Sequence, residues 1–121
     1  MRGLRIIVAT PDAERLRGAL ALAAAHAAMG GGATIFLQLD AVALLRRPVQ
    51  GPCDEAHRAA GLPSLAMLID EALELGVEMV ACQSGLALSG MGEADLPAGA
   101  HAGGPMSFLQ ATQDEARLLF I

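Results

Sequence analysis

The chain has 121 residues, 54% hydrophobic and 17% charged, with a formal net charge of −5, a balance that predicts one folded domain over residues 1–121 and excludes a disordered chain. All eight basic residues are Arg, scattered apart from Arg15/Arg17 and Arg46-Arg47, and there is no Trp or Tyr. Neither the clustered basic footprint nor the stacking platform of a nucleic-acid binder is therefore expected.

Leu4 to Ala9 (LRIIVA) is a short apolar, β-branched run that predicts a first strand. Thr10-Pro11-Asp12 follows, with Thr as a cap and Pro pre-set for the first helical position. The helix should run to about Met29, with Leu16, Leu20, Ala23 and Ala27 on one stripe. Gly30-Gly31-Gly32 ends it, because glycine tolerates the left-handed C-cap conformation. Thr34 to Leu39 (TIFLQL) is the second strand, and Asp40 should cap a short helix through about Arg46. Arg46 to Leu62 shows neither period nor sustained apolar content and is expected to be a long loop, a lid in many compact domains. Pro63-Ser64 opens an amphipathic helix with Leu65, Leu68, Ile69, Ala72 and Leu75 on one face and Gly76 as its stop. Val77 to Ala81 is the third strand, ending at Cys82, and Gln83 to Met91 a short helix. A weak strand near Ala98 to His101, a helix from about Pro105 to Asp114 and a last strand, Arg117 to Ile121, complete the chain.

Strands that are apolar throughout are buried on both faces. With helices between them, they predict a three-layer α/β/α sandwich around a mostly parallel five-stranded sheet. So much apolar surface on a small domain also predicts a homo-oligomer. The longest apolar stretch, Ala19 to Met29, is interrupted by His26 and too short to span a bilayer, and the N-terminus lacks a signal-peptide core. A cytoplasmic protein with no membrane partner is expected, where Cys53 and Cys82 stay as thiols.

In an open parallel sheet, reactive groups collect at the carboxyl ends of the strands. Cys82 lies at such an end, one or two residues before a helix whose N-terminal N–H groups would favour a thiolate over a thiol. Gln83, Ser84 and Gly85 suit a reactive sulfur: small residues keep it approachable, and Ser or Gln can donate hydrogen bonds to an anion. The same spacing equally fits a small buried hydrophobe closing a strand.

Several segments together resemble the DsrE/DsrF/DsrH-like family of small sulfur-handling proteins. They are the first strand with its Ala-rich helix into AAMGGGATIFL, then GLPSLAMLIDEALELGVEMVACQSGLALSGMG, then GGPMSFLQATQDEARLLFI; the loop from about Arg46 to Ala60 has no match. The resemblance implies a five-stranded α/β/α domain in a trimer or hexamer, with sulfane sulfur carried as a persulfide on Cys82. Donor and acceptor proteins would be its partners, and no metal or organic cofactor is implied. The chain lacks a Cys-x-x-Cys pair and a dense basic surface, which favours relay to another protein over action on RNA. Two other readings stay open: an oligomeric binding or assembly module with an inert Cys82, and a thiol peroxidase-like protein in which Cys53 resolves Cys82.

Among the remaining residues, Cys53 and His57 form C-x3-H, too few ligands for a zinc site without a second pair. His101 is expected near the sheet edge that carries Cys82, where an imidazole could tune the thiolate or shuttle a proton. His26 reads as a solvated or interface residue. Gly30 to Gly32 precede strand two, at the wrong edge for a dinucleotide fingerprint, which rejects Asp40 as its acidic partner. Gly103-Gly104-Pro105 reads as a turn, and Met29, Met67, Met79, Met91 and Met106 as packing residues.

Overall fold

The computed structural model describes residues 1–121. Five strands, β1 (Leu4–Val8), β2 (Ala33–Leu37), β3 (Glu78–Cys82), β4 (His101–Gly103) and β5 (Arg117–Phe120), form one sheet in the order β4-β3-β2-β1-β5. Every pairing is parallel. The register sets Ile6 beside Ile35 and Ile35 beside Met79, and carries Arg5, Thr34 and Glu78 in a second row across the same three strands.

Helix α1 (Ala13–Ala28) lies against β1 and β2, and α3 (Leu65–Glu74) packs on α1. Between them sit Leu4, Ile6, Val8, Leu16, Leu20, Ile35, Ile69 and Met79, all buried. Each fully buried Ile or Leu contributes about 1.5–3 kcal/mol over its exposed state. The predicted alanine face of α1 explains the close approach, since Ala19 and Ala23 are fully buried. On the other face of the sheet the short helix α5 (Pro105–Gln110) inserts Phe108, which stacks on Phe36 with centroids 4.9 Å apart. The sandwich therefore has its three layers, but the second helical layer is thin. Helix α4 (Gln83–Leu88) packs on a 3-10 segment, Leu39–Leu45, at the carboxyl edge.

The structure revises several boundaries. Asp12, rather than Thr10, caps α1, its carboxylate accepting from the N–H groups of Glu14 and Arg15. The segment after β2 is 3-10 rather than α-helical, and Gln38, not Asp40, precedes it. Within the expected loop, Asp54–Ala59 form helix α2. It is held by Arg17, a buried arginine of α1, which pairs with Asp54 and donates to the carbonyl oxygens of Pro52 and Pro63. His57 meets Glu14 at 3.0 Å. Strand β4 begins at His101 instead of ending there. Leu75, placed on the apolar face of α3, is exposed, and the last strand is exposed along its whole length.

Candidate functional site

Cys82 closes β3 and is the residue from which α4 departs. The strand before it is buried because Met79 and Ala81 face α1 and α3, while Val80 faces the opposite side. By strand alternation Cys82 shares the face of Glu78 and Val80. Its register partner on β4 is Gly103. A side chain at Gly103 would place its Cβ 2.7 Å from Val80 Cγ1, so the Val80 side chain or β4 would have to shift to admit one.

The cysteine is only 4% exposed and accepts no capping hydrogen bond from α4. The expected donation to the sulfur by the helix N-terminus is thus not formed. Gln83 and Ser84 are the first residues of α4 and are exposed. Gly85 is buried and has a packing role of its own, because a Cβ there would lie 1.9 Å from the Leu39 carbonyl oxygen. His101 lies opposite Val80, two residues before the partner of Cys82. Two residues along a strand are about 7 Å, which separates its backbone from the cysteine.

The other singled-out residues have structural partners. His26 Nε2 is 2.8 Å from the Arg2 carbonyl oxygen, tying the end of α1 to the start of the chain. Arg46 and Arg47 donate to the carbonyl oxygens of Ser89 and Ala94. Cys53 is an exposed free thiol in a left-handed conformation at the start of α2, while His57 turns to Glu14. Because Arg17 and Glu14 hold α2 to α1, on the face of the sheet opposite α5, Cys53 is not brought over Cys82.

A cavity of about 680 Å³ opens between β3, β4 and α5; Cys82 is not on its wall, but Gln83 and Gly103, its neighbours along and across the sheet, are. Arg5, Glu78, Val80, Gln83, His101, Gly103, Ser107 and Phe108 are among its lining residues. Gln83 and His101, both singled out from sequence, therefore share one cavity, whereas Ser84 and Gly85 do not line it. Arg5 donates to Thr34 Oγ1 and to the Phe108 carbonyl oxygen and lies 4.3 Å over the Phe108 ring. Burial lowers its affinity for the proton and the nearby Glu78 charge opposes that effect. Sequence reasoning passed over Arg5 and Glu78. The signal was there: a charge inside LRIIV, an otherwise apolar strand, needs a partner or a purpose.

A model of the DsrE/DsrF-like family matches residues 4–121, nearly the whole chain. The chain belongs to the DsrE/DsrF-like family. Among solved structures it is similar to the ychN protein from E. coli, with 20% identity and a TM-score of 0.80, each chain covered in full. It is likewise similar to MTH1491 from Methanobacterium thermoautotrophicum, with 16% identity and a TM-score of 0.73, again over the whole of both chains. At these identities the likeness establishes the DsrE-like fold. No curated protein matches the chain significantly. No helix is long and apolar enough to cross a membrane.

Proposed function

We propose that this DsrE-like protein carries sulfane sulfur as a persulfide on Cys82 and hands it to an acceptor thiol. The observation that supports the reading is the place of Cys82: last residue of an interior parallel strand, at the carboxyl edge, with its neighbours Gln83 and Gly103 on the wall of a cavity. Family membership supports sulfur relay at the level of the family. The chemistry balances without an oxidant. The Cys82 thiolate attacks the outer sulfur of a donor R–S–SH, the donor's S–S bond breaks, and Cys82–S–SH and R–S⁻ result. An acceptor thiolate then attacks the outer sulfur, regenerating Cys82–S⁻. Burial of the cysteine keeps the loaded sulfur out of bulk water, so donor and acceptor must reach it through the cavity edge or by displacing α4.

The partners are proposed to be sulfur-donor and sulfur-acceptor proteins and further copies of this chain. Leu118 and Phe120 pair with Arg5 and Ile7, on the α5 face of the sheet, and are 48% and 69% exposed. Met106 and Leu109 of α5 are exposed as well. A second copy covering this face would remove an apolar edge strand from water, a recurrent route to association.

One observation favours a second reading, an assembly module with an inert thiol: the 4% exposure of Cys82. Intact mass separates the two. After treatment with a sulfane donor the Cys53→Ser chain, whose one thiol is Cys82, should gain one sulfur that reductant removes. No gain in Cys53→Ser overturns the proposal.

A further inference from the structure

The cavity between β3, β4 and α5 has a charge arrangement that sulfur transfer does not require. Arg5 uses its guanidinium on Thr34 and Phe108, yet its Nε–H is buried with no partner, and buried donors are seldom left so. Glu78, in the same row across the sheet, is exposed and is in none of the ion pairs of the chain. Both line the cavity. Their backbones are two strand spacings apart, about 10 Å, and they stand as opposite charges on one wall without pairing. A simple anion there would meet Glu78 and a simple cation would meet Arg5. A ligand bearing both charges on one carbon satisfies each.

The distance from Glu78 to Cys82 adds a second requirement. The cavity wall runs from Glu78 to Gln83 and Gly103, the neighbours of Cys82 along and across the sheet. Four residues of strand from Glu78 to Cys82 are about 13 Å, too far for a free amino-acid thiol whose charged end sits at Glu78. A peptide of two or three residues spans it. The volume of about 680 Å³ accommodates one, and Val80 and Phe108 offer apolar wall between the two ends.

We infer that this cavity binds a short peptide thiol by its free α-amino-carboxylate end, carboxylate at Arg5 and ammonium at Glu78, with the thiol at the end walled by Gln83 and Gly103, the neighbours of Cys82. The inference rests on the proposed function and names its small-molecule donor or acceptor class.

Reduced glutathione is the probe, used in calorimetric titration of the full chain with a non-thiol reductant. Two analogues divide the charged end: glutaryl-Cys-Gly lacks the ammonium and γ-aminobutyryl-Cys-Gly lacks the carboxylate. Glutathione should saturate one site per chain, and each analogue should bind roughly tenfold more weakly or worse, the usual effect of losing one charge-assisted hydrogen bond. Arg5→Gln also removes contacts to Thr34 and Phe108, so the deciding variant is Glu78→Gln, at an exposed residue. It should weaken glutathione by a similar factor and leave glutaryl-Cys-Gly unchanged. Cys82→Ser should keep glutathione binding, so failure of the persulfide chemistry and failure of recognition are read separately. No binding at millimolar glutathione, equal binding of the three peptides, or an unchanged affinity in Glu78→Gln overturns the inference.

Discussion

Replacing Gly85 by Ala tests how α4 is seated beside the candidate site. Elsewhere in a helix the change stabilises, because Ala loses less backbone entropy than Gly, by about 0.5–1 kcal/mol. At Gly85 the new Cβ would stand 1.9 Å from the Leu39 oxygen, 2.6 Å from its carbonyl carbon and 2.9 Å from its Cα. These are backbone atoms, and Leu39 already has φ 48, a left-handed conformation with little room to adjust. Relief requires α4 and the 39–45 segment to part by more than about 1 Å, loosening Leu86, Ala41 and Val42, all buried. Overpacking of this kind costs about 1–3 kcal/mol, and a clash with backbone belongs at the upper end. Subtracting the propensity gain leaves a net loss of about 2 kcal/mol, or roughly 6–12 °C in Tm for a chain of this size. Gly18→Ala in α1 is the internal control, since Gly18 is exposed and a Cβ there meets nothing within 4 Å. That variant should gain about 0.5–1 kcal/mol. Urea unfolding followed by circular dichroism, at fixed protein concentration because assembly shifts apparent stability, reads both. A Gly85→Ala protein as stable as wild type would refute the packing argument.

Three further outcomes are expected. The Asp54 carboxyl is held below the usual carboxylate range, chiefly by the Arg17 hydrogen bond and then by the Leu65 N–H. A depressed value contributes stability above the unfolded pKa of about 3.9 and loses it as pH falls through the lower folded value. Hydrogen exchange in α2 should therefore rise only below about pH 4, and Asp54→Asn should remove that step; identical pH profiles would contradict it. Iodoacetamide should modify exposed Cys53 well before Cys82 in the native chain, with mild urea narrowing the gap; equal native rates, read by peptide mass spectrometry, would mean that Cys82 is not covered. Phe120→Asp, placing a charge on the exposed α5-side face of β5, should shift sedimentation toward smaller species, and an unchanged distribution would rule that face out as the interface between copies.

The central elements were legible because their causes are local. LRIIV, ATIFL and EMVAC show strand character in their apolar composition, ATIFL being buried throughout and LRIIV on alternate residues, and Gly30 and Gly76 mark helix ends with φ 95 and 89. Ser64 caps α3 by accepting from the Met67 N–H, as its position before the amphipathic run suggests. Cys82 at the end of β3 was likewise visible as a strand terminus. Helix α2 was not, since six residues without a buried side chain show no period. What fixes it is Arg17, separated from Asp54 by 37 residues of sequence.

Periodicity, caps and composition act over a few residues, so the buried parallel strands, the ends of the main helices and the cysteine at the sheet's carboxyl edge can all be read from the residues alone. The strand order emerges in the folded chain, and with it the row Arg5–Thr34–Glu78, the pairing of Cys82 with Gly103, the displacement of His101 and the burial of the cysteine. These depend on which distant segments lie side by side. Lateral neighbours follow from crossover connections and close packing, which no short stretch of residues specifies.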